Sequence, residues 1–228
     1  MKKLFVGVLC VALSLSVQGK EVNMTSPDGK YQFTLSDSGG QLHYSLTWNG
    51  KQTVKPSLLG INANVEWRDG VEIGTVDSSR KDTIWHPVYG ERSEIKDCYH
   101  AWKIVVNRQN GRDKLILDVR AYDEGIAFRY HFPGGQYLKI TDEYTEYTMP
   151  EGTKAYFTPK AQTPYSYLPL ENWPGESDRP LLLTLADGGY VCLAEAQVVD
   201  YVRTKFNVSP TKKNTIISVS YTHLRAPR

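Results

Sequence analysis

The chain has 228 residues, with 27 Lys and Arg against 25 Asp and Glu and a 40% hydrophobic content. Two of the basic residues, Lys2 and Lys3, open the chain, and without them bases and acids balance. No like-charge block remains to draw in nucleic acid or an anionic lipid surface, so neither is an expected partner.

Met1 to Gly19 has the physics of a secretory signal. Lys2 and Lys3 supply the charged start, and Leu4 to Val17 is apolar yet too short for a relaxed bilayer span. Val17 and Gly19 then place small residues at the −3 and −1 positions of a cleavage site. Cys10 follows Val8 and Leu9, not the small residues a lipoprotein cysteine requires. The expectation is an exported, periplasmic chain starting near Lys20, with no membrane span after the leader.

From Glu21 onward, short alternating patterns are punctuated by turn signals. Tyr31, Phe33 and Leu35 share a face after Asp28-Gly29. Leu42, Tyr44, Leu46 and Trp48 do the same before Asn49-Gly50, a dipeptide suited to a type I′ hairpin. Asp37-Ser38-Gly39-Gly40 echoes a protease nucleophile segment but reads as another hairpin turn, because it lies near the mature N-terminus with no room upstream for the His and Asp that activate such a serine. Leu115, Leu117, Val119 and Ala121 share one face. Ile126, Phe128, Tyr130 and Phe132 share another after the turn at Asp123-Glu124-Gly125. No mature stretch of ten residues carries a capped helical period, although Val198 to Arg203 has room for a turn or two. The chain after the leader is therefore expected to be a single all-β domain, a large antiparallel sandwich.

Two stretches break this pattern. Trp85 to Trp102, WHPVYGERSEIKDCYHAW, concentrates two Trp, two Tyr, two His and five charges. Such a segment is either a binding surface or core filling with solvated charges. Thr158 to Pro180 holds five Pro, two Tyr and a Trp without alternation. It reads as an ordered, irregular excursion from a sheet edge, the kind of loop that carries function. Leu181 to Leu185 and Tyr190 to Ala194 resume as a hairpin that delivers Glu195 at a strand end. The last eight residues, YTHLRAPR, are basic and unpatterned and resemble translated adapter sequence. The expected layout is a leader over 1–19, a sandwich over 20–219 and a non-native tail over 220–228, with the reading frame truncated near Val219.

No catalytic constellation is legible. The acids Glu91 with Glu94, the group Asp142, Glu143 and Glu146, and Glu171, Glu176 and Glu195 could form the carboxyl pairs of glycoside hydrolysis, but strand spacing cannot set the required separation. There is no GxSxG, phosphate-cradling Gly loop or dinucleotide fingerprint. Cys98 and Cys192 are read as two unpaired thiols behaving as small apolar residues, and no CxxC or HExxH spacing supports zinc. The five histidines, His43, His86, His100, His131 and His223, are scattered and read as satisfied polar side chains.

Four segments in register resemble the N-terminal domain of glycoside hydrolase family 97. They are SPDGKYQFTL (Ser26 to Leu35); the stretch in which Trp85, Pro87, Val88, Gly90 and Glu91 fit a W-x-P-V-x-G-E pattern that Glu94, Ile95 and Tyr99 continue; VRAYDEGIAFRYHFP (Val119 to Pro133); and DGGYVCLAEAQVVDY (Asp187 to Tyr201), which ends on an E-A-x-x-x-D-Y form. The resemblance implies a β-super-sandwich of the galactose-mutarotase-like kind. It also implies a catalytic (β/α)8 barrel elsewhere in the parent enzyme, an α-glucosidase or α-galactosidase with active-site calcium acting on α-linked oligosaccharide.

The barrel and its catalytic carboxylates are absent here, so the fragment is expected to be inactive and the missing barrel is its expected partner. One branch of the family lends calcium a glutamate from the irregular loop, but Lys160 to Tyr167 contains no acid. Glu171 and Glu195 are left as weak metal candidates. The resemblance makes Trp85 to Trp102 a structural signature of the sandwich and moves the substrate-facing candidates to Tyr165, Tyr167, Glu171, Trp173 and Glu195. Two other readings stand beside it. One is a free-standing carbohydrate-binding sandwich using Trp85, Tyr89, Tyr165, Tyr167 and Trp173; the other is a ligand-free structural module. Exposure of Trp173 separates these two.

Overall fold

The structure, a computed structural model, describes residues 19–109, 111–134, 137–199 and 201–220. Most of the expected leader and the tail from residue 221 lie outside these.

Among the described residues, eighteen strands follow one another in chain order. The first four are β1 (Glu21–Thr25), β2 (Tyr31–Ser36), β3 (Leu42–Trp48) and β4 (Lys51–Leu59). Short β5 (Ile61–Ala63) and β6 (Val65–Glu66) precede the two longest strands, β7 (Val71–Trp85) and β8 (Ile95–Arg108). Then come β9 (Lys114–Tyr122), β10 (Gly125–His131), β11 (Ile140–Glu143), β12 (Glu146–Thr148), β13 (Lys154–Phe157) and β14 (Ser166–Pro169). The last four are β15 (Leu181–Thr184), β16 (Tyr190–Leu193), β17 (Thr204–Val208) and β18 (Thr215–Ser220). No α-helix occurs among the described residues; Val198 and Val199 are irregular, not helical.

The strands form a seven-stranded sheet in the order β1-β2-β3-β4-β12-β18-β17 and a four-stranded sheet β10-β9-β8-β7. A three-stranded sheet β11-β5-β6 and a second four-stranded sheet β14-β13-β15-β16 complete the set. Pairing is antiparallel throughout, which lets each sheet bury one face and wet the other. At the β3–β4 turn, Asn49 and Gly50 both have positive φ, 48° and 74°, the geometry a type I′ turn requires.

One core joins the sheets. Phe33 and Leu35 on β2 and Leu42 and Tyr44 on β3 face Leu115, Leu117 and Val119 on β9. Phe128 of β10 closes the gap, 6.3 Å from the Phe33 ring and 5.6 Å from that of Tyr44. The alternation in β9 is strict, because Leu115, Leu117, Val119 and Ala121 are all fully buried. The Tyr44 hydroxyl donates to the Glu146 carbonyl at 2.8 Å, which satisfies the polar end of a buried ring. Burial first, and then the nearby carboxylates Glu143, Glu146 and Glu195, push the Tyr44, Tyr130 and Tyr147 phenols up.

The Trp85 to Trp102 stretch divides in two. Its second half belongs to the sandwich: Cys98 and Tyr99 are buried on β8 and Trp102 packs on the core. Its first half does not fill the core. The β9 strand pairs with β8 only as far as Tyr99, so beyond that point β7 and β8 form a two-stranded ribbon ending in residues 86–94. Along it Ile84 and Trp85 are exposed, and at the tip Val88 and Tyr89 are 99% and 90% exposed. His86 Nδ1 lies 3.1 Å from the Ser93 carbonyl and ties the tip together.

Candidate functional site

The Thr158 to Pro180 excursion is ordered by its own polar groups. The Thr158 hydroxyl donates to the Lys160 carbonyl at 2.9 Å, and the Asp178 N–H donates to the Thr158 carbonyl at 2.6 Å. Ser177 exchanges backbone hydrogen bonds with Phe206 on β17, at 2.7 and 2.9 Å. The excursion is not wholly irregular, because Ser166–Pro169 pairs with β13 as strand β14. Proline at the end of this edge strand costs no ladder hydrogen bond, which is why the proline-rich composition hid it.

The last four-stranded sheet carries two unlike faces. Inward it buries Ala155, Phe157, Leu181, Leu183 and Leu193. Outward, the pairings Tyr156↔Tyr167, Lys154↔Thr184, Thr184↔Tyr190 and Leu182↔Cys192 put those residues on one side. Tyr156, Tyr167, Leu182, Tyr190 and Cys192 are all exposed there. The Tyr156 and Tyr167 rings lie 4.9 Å apart, Lys154 Nζ sits 5.4 Å from the Tyr167 ring centre, and the Tyr167 and Thr184 hydroxyls are 2.7 Å apart. Tyr165, just before β14, is also exposed. Rings with an open face and a polar rim can stack on a sugar or on another apolar surface. Cys192 is thus an exposed free thiol, whereas Cys98 is buried and its thiol is pushed up by burial.

Glu171 and Trp173 sit elsewhere. They line a cleft of about 420 Å³ between the excursion and the β17–β18 turn, with Asn207, Lys212, Lys213 and Asn214 on the other wall. Trp173 is no open platform. Its ring packs edge-on against Phe157 at 5.4 Å and touches the core, and its buried Nε1 has no hydrogen-bond partner.

Glu195 occupies a third place. Its carboxylate lies 2.6 Å from the Arg179 guanidinium and accepts the Thr204 N–H at 3.1 Å. Arg179 also donates to the Thr204 carbonyl at 3.2 Å, and neighbouring Asp178 accepts from Arg203. Burial raises the Asp178 carboxyl, but the hydrogen bonds from Arg179 and Arg203 outweigh it and hold the group below its ordinary range.

The structure therefore brings Tyr165 and Tyr167 to the tyrosine-rich sheet, places Glu171 and Trp173 on the cleft, and sets Glu195 in an ion-pair clamp. Sequence reasoning missed Tyr156, Leu182 and Tyr190, although the alternation in KAYF placed Tyr156 opposite the buried Ala155 and Phe157. Ile84 was missed as well, and Trp85, Val88 and Tyr89 were assigned to the sandwich.

Two further carboxylates flank a smaller pocket. Glu146 is held by Lys212 at 2.8 Å through both oxygens, and Glu143 accepts from Tyr201 at 2.6 Å. Glu146 is thus held in an ion pair and Glu143 in a hydrogen bond.

For calcium, which needs six or more oxygen ligands, the fit is poor. Glu195 already neutralises a guanidinium, Glu171 faces a cleft walled by two lysines, and no cluster of three His, Cys, Asp or Glu able to hold a metal occurs among the described residues. No helix among the described residues is long and apolar enough to cross a membrane.

Comparison with known proteins places this architecture. Residues 24–223 match the family described as Glycosyl-hydrolase 97 N-terminal. A retaining alpha-galactosidase of Bacteroides thetaiotaomicron is 30% identical over 159 residues, which are 68% of this chain and 23% of that protein. A glycoside hydrolase family 97 enzyme from Pseudoalteromonas sp. strain K8, solved with panose, superimposes with a TM-score of 0.81 at 22% identity, covering 87% of this chain and 32% of that one. A beta-arabinopyranosidase superimposes with a TM-score of 0.79, also at 22% identity, over 87% of this chain and 35% of its own. The chain thus spans about a quarter to a third of the length of these relatives. Four sequence segments, an all-antiparallel sandwich and the family match over nearly its whole length agree that this chain belongs to the glycoside hydrolase family 97 N-terminal family.

Proposed function

We propose that this chain is the N-terminal accessory part of an exported α-glycoside hydrolase, in which it braces a catalytic (β/α)8 barrel and shapes one side of its sugar pocket. The observation that carries this reading is the exposed β7–β8 ribbon. A two-stranded ribbon is marginal in water by itself, and this one ends in Ile84, Trp85, Val88 and Tyr89, all exposed. The relatives carry about two thirds or more of their length outside the matched region, and on this reading the ribbon rests there. Tyr165 and Tyr167, with Tyr156 and Tyr190 beside Tyr167, form the second exposed aromatic group, suited to the pocket side.

The catalytic carboxylates of this reading lie outside the chain, so the chain alone hydrolyses nothing. Calcium belongs to the same reading only if carboxylates outside the chain complete its site, because no group of three His, Cys, Asp or Glu able to hold a metal occurs among the described residues. The relative that acts as an alpha-galactosidase makes α-galactosides the first substrates to assay and α-glucosides the second.

The test is an enzyme carrying this domain together with its catalytic part. The double variant Trp85→Ala, Tyr89→Ala is expected to lower its thermal stability and activity while leaving the isolated chain's stability unchanged. Unchanged stability and activity in the complete enzyme would remove the ribbon from this role.

A second reading, a free-standing carbohydrate-binding sandwich, loses Trp173, which packs against Phe157, but keeps the Tyr156–Tyr167 pair and Tyr190 on an open sheet face. Calorimetry of the isolated chain with maltooligosaccharides and with melibiose separates the two. The accessory reading expects no measurable heat. Binding that disappears in Tyr156→Ala and Tyr167→Ala would favour the second.

A further inference from the structure

We infer that Asp37 is the receptor for the N-terminal ammonium of the matured chain, which begins at Lys20; this rests on the leader reading of Met1 to Gly19. The observation is the clasp around Lys20. Its backbone N–H donates to Asp37 Oδ1 at 2.6 Å, and its carbonyl accepts the Asp37 N–H at 3.2 Å, which extends the β1–β2 ladder by one pair. The other Asp37 oxygen accepts the Ile73 N–H at 2.7 Å, and Lys20 Nζ donates to the Gly74 carbonyl. Asp37 thus joins the first residue of the sandwich to the start of β7, linking the seven-stranded sheet to its four-stranded neighbour.

Gly19 supplies an independent constraint. A Cβ at this position would lie 2.7 Å from both Ser38 Cα and Ser38 N and 2.8 Å from Asp37 Oδ1. The folded domain therefore has no room for a side chain on the residue before Lys20. The leader's cleavage pattern demands a small residue at the same place. Two unrelated requirements, one steric and one of export, converge on the Gly19–Lys20 bond.

Hydrolysis of that bond by a leader peptidase adds water across it. Oxygen goes to the Gly19 carbonyl carbon, the C–N bond breaks, the leader leaves as a carboxylate, and the Lys20 nitrogen gains two protons to become an ammonium. The neutral amide donor that faces Asp37 thereby becomes a cation facing a carboxylate, and the hydrogen bond becomes charge-assisted. Cleavage also removes Gly19 from its contact with Ser38. Because the amide is clasped and Gly19 is wedged in the folded domain, the cut must precede docking of β1 onto β2.

Two measurements test this on the full chain expressed with its leader and exported. The first is intact mass and N-terminal sequencing, which should give Lys20 as the first residue; any other first residue overturns the leader reading and the proposal with it. The second inserts Ala-Gly between Gly19 and Lys20, which keeps the Lys20 amide and a residue without a side chain before it but moves the ammonium away from Asp37. With Asp37 present, the insertion should lower Tm by about 2–4 °C, the shift that losing one modest charge contact gives in a chain of this size. In the Asp37→Asn background the insertion should change nothing. Equal Tm values with and without the insertion at Asp37 would overturn the receptor role while leaving correct processing intact. That comparison decides the matter even if Asp37→Asn does not fold.

Discussion

The Arg179 guanidinium and the Glu195 carboxylate meet at 2.6 Å, with side chains only 18% and 19% exposed, and so tie the chain entering β15 to the chain leaving β16. Glu195 also accepts the Thr204 N–H, which adds β17 to the same knot. Removing one partner of a largely buried pair leaves the other charge without compensation. Glu195→Ala is therefore expected to lower unfolding free energy by about 1–3 kcal/mol, between the exposed and fully buried cases. A double-mutant cycle with Arg179→Met, followed by urea denaturation, should show most of the loss as coupling. Millimolar calcium should leave the Tm of this chain unmoved, and a calcium-dependent rise abolished by Glu195→Ala would reassign the residue as a ligand.

Asp178 predicts an acid dependence. Burial raises its carboxyl, but the Arg179 N–H and the Arg203 guanidinium more than offset this and hold it below the ordinary 3.8. A depressed folded-state pKa contributes stability above the unfolded value, and that contribution is lost as pH falls through the folded value. Wild type should lose stability below about pH 4, and Asp178→Asn should be less stable at pH 6 but flatter between pH 4 and 2. Parallel urea curves at pH 6 and pH 3 measure this; an unaltered pH slope in the variant would count against it.

The ribbon and the core should respond in opposite ways in the isolated chain. Trp85→Ala and Tyr89→Ala remove exposed rings and are expected to change stability by no more than about 0.5 kcal/mol. Leu117→Ala removes a fully buried side chain between the two main sheets and is expected to cost about 2–5 kcal/mol. Comparable losses at the two places would mean that the ribbon tip is packed in solution.

The outer face of the last sheet should make the isolated chain associate. Tyr156, Tyr167, Leu182 and Tyr190 lie together and exposed, and contiguous apolar surface of this kind marks contact sites or aggregation. Sedimentation should show association that grows with concentration and is relieved by Leu182→Lys with Tyr190→Lys. A stable wild-type monomer at high concentration would refute this, as would the same behaviour in both proteins.

Much of the sandwich was legible in the sequence because period-two burial is a local property. The buried run Leu115, Leu117, Val119 and Ala121, the Asn49-Gly50 turn with its two positive φ values, and the half-buried face from Ile126 to Phe132 needed only neighbouring residues to declare themselves. Contacts between residues far apart in sequence did not. Glu195 and Arg179, and Glu146 and Lys212, pair only because strand order brings them together, and no spacing rule encodes that. Ser166–Pro169 was hidden as a strand because an edge position excuses proline from the ladder. Trp85 and Trp173 show the limit most plainly. Both are tryptophans in aromatic, proline-bearing segments, yet one stands exposed on a ribbon that outruns its neighbour β9 and the other lies edge-on against Phe157. Composition settled that each would seek an apolar contact, while the lengths and registers of the strands decided which of them found it within the domain.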